Sequence, residues 1–188
     1  DGKPFSESGA KPYELSDQQK KFIPEDGIRT VLLTDAQDVE TLARWNNGMQ
    51  ALAESSPFGI PVSLSSDPRH GARNPTGRQS KDVVTTSKWP QGMGLAATFR
   101  PEVVKEHAEI VAQEYRAMGI TSALSPQIDL GTDPRWMRTR DTFGCHVKMS
   151  QDMARAYCDG IQTTKDSPTG WGTGSILSLI HISEPTRQ

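Results

Sequence analysis

The chain has 188 residues, a formal net charge of −2 and a pI near 6.1. This nearly neutral balance, without a Lys/Arg cluster, argues against a surface that binds nucleic acid or an anionic membrane. No apolar run approaches the roughly 18 residues that a membrane-spanning helix needs. The length suits one domain with a buried core, and 16 glycines and 13 prolines predict long loops.

The first half of the chain predicts two strands around one helix. Residues 1–26 are polar and indicate an extended or loop segment, and Ile28–Leu33 has the β-branched and apolar content of a strand. Thr34 and Gln37 have capping-box spacing, which predicts a helix over residues 36–54. A second strand is expected at residues 60–65. The apolar face of this helix comprises Val39, Leu42, Trp45, Met49 and Leu52.

The second half repeats the alternation after a long loop over residues 66–98. Pro101 suits a helix start, and Gly119 suits a helix end. Short strand pieces are expected at residues 120–124 and 127–130, before a last helix over residues 151–162 that Ser150 would cap. The apolar positions of the two helices are Val104, Ala108, Val111, Tyr115 and Met118, followed by Met153, Tyr157 and Ile161.

Alternating strands and helices predict parallel βαβ units, which fit either a doubly wound sheet or a barrel. The chain has neither a Gly-x-Gly-x-x-Gly motif after a strand nor a phosphate-binding Gly-Lys-Ser/Thr loop. We therefore predict no nucleotide or other cofactor.

Two Asp-Pro-Arg turns, at residues 67–69 and 133–135, each follow a short apolar run. The end of a parallel strand is where ligands bind in α/β folds. Asp67 could therefore accept hydrogen bonds from a sugar diol, or it could only cap its own turn before Pro68. Arg69 and Arg135 are expected to form structural ion pairs.

The segment after the second turn offers another candidate for ligand binding. Arg138 and Arg140 lie near Trp136, and a guanidinium beside an aromatic ring suits a polyhydroxylated ligand. The alternative is a solvated basic turn with Trp136 in the core.

The histidines and cysteines do not form a metal-ligand pattern. Cys145 and His146 are adjacent, which is not chelate spacing, so no metal site is predicted. Cys158 is the other cysteine of the chain, and both cysteines are expected to be free thiols. His70, in the first turn, is expected to be structural, and His107 is expected on a helix surface.

Several motifs together resemble the N-terminal barrel of glycoside hydrolase family 3, in the right order from about residue 27 to residue 174. Because the resemblance rests on several long motifs, it is more specific than any tripeptide. The motifs lie at residues 47–54, 59–71, 89–98, 114–120, 125–130 and 133–144.

The resemblance implies an α/β fold, a partial TIM-like (β/α) barrel that comprises only the N-terminal half. It also implies a β-glucosidase-like retaining enzyme that releases terminal sugars from a small glycoside or an oligosaccharide, and a periplasmic or secreted parent rather than a cytoplasmic one. Asp67 and Arg138 would bind the terminal sugar in the −1 subsite. The nucleophile and the acid/base would lie outside this chain, so the chain alone is expected to be inactive.

The expected organisation has three parts: a polar extension (1–26), the partial barrel (27–175) and a tail (176–188). The tail does not resemble the family and looks like translated adapter read-through. Arg100 departs from the family pattern, which commonly has an Asp helix cap there. Two alternatives stay open: a non-catalytic carbohydrate-binding module or pseudoenzyme, and an unrelated barrel enzyme acting on a polar small molecule. The sequence leaves the oligomeric state open.

Overall fold

In the part of the chain that the structure describes, four parallel strands form one sheet in the order β1-β2-β3-β4. The computed structural model describes residue 7 and residues 9–33, 38–67, 70, 86–163 and 174–175. The strands are β1 (Thr30–Leu33), β2 (Ser63–Ser66), β3 (Ser122–Ala123) and β4 (Gly174–Ser175). Each strand pairs in parallel with the next, so the predicted α/β alternation and the parallel sheet are confirmed.

Helices connect these strands, and one 3₁₀ helix, Thr139–Asp141, lies between β3 and the last α-helix. None of the described helices is long and apolar enough to cross a membrane. The α-helices are α1 (Asp17–Phe22), α2 (Val39–Glu54), α3 (Gly92–Ala96), α4 (Pro101–Ala117) and α5 (Val147–Gln162).

Helix α2 joins β1 to β2 and turns its predicted apolar face to the core. Leu42 and Met49 are buried, and Gln50 fixes the start of β2 by donating to the Val62 carbonyl at 2.8 Å and accepting from its N–H at 2.9 Å. The helix begins at Val39 because the Asp38 carboxylate accepts from the backbone N–H of Thr41 at 2.8 Å. The helix therefore begins later than the predicted residue 36; the predicted capping box, at residues 34–37, lies outside the described part of the chain.

Helix α4 turns its predicted apolar face to the core. It starts with Pro101 and is followed by Gly119, whose φ of +78° explains why a glycine ends the helix. Arg100 occupies the N-cap position without a side-chain cap and instead pairs with Glu102. All five predicted core positions of this region are buried: Val104, Ala108, Val111, Tyr115 and Met118.

Helix α5 packs closely on α4, because Gly160 lets the two backbones approach. A Cβ at Gly160 would lie 2.4 Å from the carbonyl oxygen of Lys105. The predicted apolar face, Met153, Tyr157 and Ile161, is buried.

Several sequence-based details are wrong. The segment 1–26 is not wholly extended or loop, because Ser16 and Gln19 form a capping box that starts α1. Helix α5 starts earlier than predicted, since the N-cap is His146 and Ser150 lies buried within the helix. Residues 127–130 form no strand beyond a bridge at Gln127.

Candidate functional site

Asp67 directly follows β2, at the carboxyl edge of the parallel sheet. The strand is anchored by two buried serines: the hydroxyl of Ser65 donates to the Val31 carbonyl at 3.3 Å, and that of Ser66 donates to the Leu33 carbonyl at 3.2 Å. The side chain of Asp67 is exposed, so a carboxylate stands at the end of a rigid, buried strand. This is the position that the sequence predicted for it.

Arg138 lies immediately before the 3₁₀ helix and pairs with Asp141. Its Nε lies 3.9 Å from one carboxylate oxygen of Asp141, and Arg140 Nε lies 3.8 Å from the other. The side chain of Arg138 is 43% exposed, which leaves part of the guanidinium accessible to a ligand. Trp136 is half-buried beside this segment.

The carboxyl group of Asp141 is influenced by the charges of both predicted ligand-binding residues. Partial burial raises the pKa of Asp141 above its ordinary value; the positive charges of Arg140 and Arg138 oppose this shift, and the negative charge of Asp67 adds to it. Asp67 and Arg138 thus both influence the Asp141 carboxyl group, Arg138 through an ion pair and Asp67 through its charge alone. The sequence reasoning did not single out Asp141, although it follows Arg138 by one turn of helix.

The second Asp-Pro-Arg turn has different surroundings. Arg135 donates to the Asp133 carboxylate through Nε at 3.0 Å and through a terminal guanidinium nitrogen at 2.8 Å. These contacts confirm the structural ion pair expected for Arg135, whose side chain is 90% exposed. Arg69, its counterpart in the first turn, lies outside the described residues.

His70 is buried, 1% exposed, and its Nε2 contacts the carboxylate of Glu114 on α4. Burial lowers the pKa of His70, although Glu114 opposes that shift. Glu114 lies 44 residues away in the sequence, so no local pattern could reveal this contact. A buried imidazole held by a carboxylate agrees with the structural role expected for His70.

His107 was expected on the surface, and this prediction is wrong. It is buried on α4 between Trp89 and Tyr157, with ring-centroid distances of 5.2 and 6.0 Å. Burial lowers the pKa of His107 to about 4. A polar pair is also buried near β3, where the side-chain amide of Gln127 donates to Asp129.

The His, Cys, Asp and Glu residues that the structure describes do not cluster as metal ligands would. No group of three or more of these described residues could hold a metal ion. Cys145 is exposed, Cys158 is partly buried, and both are free thiols as expected.

A strand-end carboxylate and a partly exposed guanidinium on parallel βαβ units are the candidate site that this structure offers for a polar small molecule. The family model of the glycosyl hydrolase family 3 N-terminal domain matches residues 8–181. The chain therefore belongs to this family.

Curated relatives agree with the family match. A periplasmic β-glucosidase/β-xylosidase of Dickeya chrysanthemi is 45% identical over 74% of this chain and 21% of that protein. β-Glucosidase C of Emericella nidulans is 37% identical over 70% of this chain and 21% of that protein. The chain thus spans about a fifth of the length of the curated relatives it matches, so it corresponds to a fragment.

Solved structures show the same architecture. A β-glucosidase from Erythrobacter marinus aligns with a TM-score of 0.67 and 29% identity, over 79% of this chain and 19% of that one. A β-N-acetylhexosaminidase from Beutenbergia cavernae aligns with a TM-score of 0.69 over 92% of this chain and 50% of that one. Its 17% identity supports the fold alone. The predicted partial TIM-like barrel is confirmed.

Proposed function

We propose that this chain is part of a retaining β-glycosidase and binds the terminal, non-reducing β-D-glucosyl residue of the substrate through Asp67 and Arg138. The observation that supports this assignment is the exposed carboxylate of Asp67 at the carboxyl edge of the sheet, together with a partly exposed Arg138 guanidinium that pairs with Asp141. Family membership and the names of the relatives support the reaction class.

The chemistry of the two side chains suits a pyranose ring. The Asp67 carboxylate can accept hydrogen bonds from two neighbouring hydroxyls, and the Arg138 guanidinium can donate to ring hydroxyl oxygens. Asp141 orients Arg138 while leaving it partly exposed. Hydrogen bonds to sugar hydroxyls that strengthen as the ring distorts lower the barrier to bond cleavage.

The two reacting carboxyl groups would come from segments outside this chain. A retaining glycosidase needs a nucleophile and an acid/base about 5–5.5 Å apart. Our proposal assigns the chain to sugar binding rather than to either chemical step, so we expect no turnover from the chain alone. The barrel segment is proposed to span residues 27–175, with residues 176–188 outside it.

The substrate and the compartment follow from the relatives only as proposals. We take the substrate to be a glycoside or short oligosaccharide with a terminal β-D-glucose, with xylosides as the alternative because one relative carries both names. The Dickeya protein is named periplasmic, and we infer that the protein carrying this chain also acts outside the cytoplasm.

The experiment compares matched variants in the full-length protein that carries this chain. Asp67→Ala and Arg138→Ala are each expected to lower kcat/KM for p-nitrophenyl β-D-glucopyranoside by about 100-fold, since each removes charge-assisted hydrogen bonds. Asp133→Ala, in the second turn, is the control and should stay within about twofold. Circular dichroism confirms that all three variants fold.

The outcomes separate the alternatives. An Asp67→Ala enzyme with nearly full activity removes Asp67 from the site. A wild-type protein that binds glucose but hydrolyses no β-glycoside favours the non-catalytic module instead.

A further inference from the structure

Two adjacent residues of α4 contact the chain that follows β2. The Tyr115 hydroxyl donates to the backbone carbonyl of Asp67 at 2.5 Å, and the Glu114 carboxylate contacts Nε2 of His70. Tyr115 and His70 are both buried, and their rings lie 5.6 Å apart. The backbone on which the candidate sugar-binding carboxylate is mounted is therefore held from one helix.

The same helix also holds the chain at Ser87. Glu114 accepts from the backbone N–H of Ser87 at 3.1 and 3.2 Å. The N–H of Trp89 donates to the carbonyl of His70 at 2.5 Å. His70, Ser87, Glu114 and Tyr115 thus form one connected cluster, which we call the α4 clasp.

The clasp acts on geometry rather than on the ligand. Asp67 is exposed, whereas its carbonyl is bonded to a buried tyrosine. A ligand-binding side chain must be held within about 0.5 Å of its productive position, and residues behind it usually supply that restraint. A hydrogen bond to the Asp67 backbone limits the directions in which its carboxylate can point.

We propose that Tyr115 and Glu114 are positioning residues for sugar binding, acting through the backbone of the Asp67 turn. The inference rests on the proposed function of Asp67. The competing explanation is that both residues only stabilise the fold, since Tyr115 is also part of the core.

A double-mutant cycle in the full-length protein separates these explanations. Tyr115→Phe keeps the ring and removes only the hydroxyl. It should lower kcat/KM for p-nitrophenyl β-D-glucopyranoside about fivefold, mostly through KM, as expected for one lost hydrogen bond. In the Asp67→Ala background the same change should have no further effect on KM, because the backbone carbonyl remains but the carboxylate that it positions is gone. An equal fivefold loss in both backgrounds would show a purely structural role and overturn the inference.

Two further comparisons cover a Tyr115 variant that does not fold. Glu114→Ala should raise KM, whereas Glu114→Gln, which can still accept from Ser87, should restore most of the affinity. Tyr157→Phe removes another buried hydroxyl, on α5, and should leave KM within about twofold. A Tyr157→Phe variant with the same rise in KM as Tyr115→Phe, or no rescue by glutamine, contradicts the inference.

The outcome also distinguishes this inference from the proposed function. If Asp67→Ala alone retains nearly full activity, the site assignment fails and the clasp loses its target. If Asp67→Ala is severely impaired but the cycle shows no coupling, only the positioning role fails.

Discussion

The chain contains the tripeptide Asp-Pro-Arg twice, and the two copies lie in different environments. The first follows β2, and the carbonyl of Asp67 is held by Tyr115 from α4. The second lies in an exposed loop, where Asp133 and Arg135 pair with each other. Asp67 is thus held by a distant part of the fold, whereas Asp133 and Arg135 hold each other.

The difference indicates that the element before the tripeptide, rather than the tripeptide itself, decides what its aspartate can do. A carboxylate whose oxygens already accept from the neighbouring arginine has little capacity left for a ligand, as in Asp133. A carboxylate placed by a buried strand at the carboxyl edge of a parallel sheet lies where this architecture binds ligands. We therefore expect changes in the supports of the first turn to matter more than changes in the second.

Acidification should have the largest effect, because it acts on the helix that holds the first turn. Burial of His107 lowers its pKa from 6.5 to about 4, and the charge of the nearby His70 contributes to the shift. Between pH 4 and pH 6.5 the unfolded chain therefore binds more protons than the folded protein does. The free energy of unfolding is highest above about pH 6.5 and falls as the pH drops towards 4. We expect a loss of about 3 kcal/mol in the free energy of unfolding.

Urea denaturation at pH 7 and pH 4 measures this loss. His107→Phe keeps a ring between Trp89 and Tyr157 and should flatten the pH dependence. His146→Asn is the control, because His146 is exposed and asparagine can also cap α5. If His107→Phe and the wild type show the same pH dependence, His107 does not carry the effect.

Gly92→Ala should have the next largest effect, through the segment that presents Arg138. A Cβ at Gly92 would lie 2.4 Å from the carbonyl oxygen of Asp141 and 2.9 Å from that of Thr142. The 3₁₀ helix must then move, at a cost of about 1–3 kcal/mol in stability. Because Asp141 pairs with Arg138, kcat/KM should also fall severalfold.

Gly48→Ala on α2 is the matched control for that change. The nearest atom to a Cβ at Gly48 is 3.9 Å away, on the side chain of Leu15, so alanine fits. It should raise stability by about 0.5–1 kcal/mol, because alanine favours a helix more than glycine does. If thermal unfolding shows Gly92→Ala to be as stable as Gly48→Ala, the close contact does not constrain the 3₁₀ helix.

Sequence periodicity predicted the main elements well, because one face of each long helix must be buried. The faces of α2, α4 and α5 and the parallel order of the strands are confirmed. The helix starts were less predictable: Asp38 rather than Thr34 caps α2, and His146 rather than Ser150 caps α5. Neighbouring polar residues compete for a cap, and the backbone entering the helix decides between them.

The sequence contains a signal for the burial of His107 that our prediction missed. It lies three residues after Val104 and four before Val111, which places it on the apolar face of α4. Its burial was therefore predictable from the same periodicity that identified the helix. The contact of Tyr115 with Asp67 was not predictable from the sequence, because 48 residues separate the two and only the folded sheet brings them together.

Breaking the pair in the second turn should have the smallest effect. The side chain of Arg135, followed by its backbone N–H, lowers the pKa of Asp133. Arg135→Ala should raise that pKa only partway to its ordinary value, because the backbone N–H at 2.9 Å remains. The pair stabilises the fold above the ordinary carboxyl pKa and loses that contribution as the pH falls, but both groups are on the surface, so the effect is small.

A carboxyl NMR titration of Asp133 measures the shift, and kcat/KM of Arg135→Ala should stay within about twofold of the wild type. The comparison with Arg138→Ala is direct, because both variants remove one guanidinium from the same loop. If Arg135→Ala instead lost activity as severely as Arg138→Ala, the second turn would take part in substrate binding. The local ion pair would then be the resting state of a ligand-binding arginine, and the contrast between the two turns would disappear.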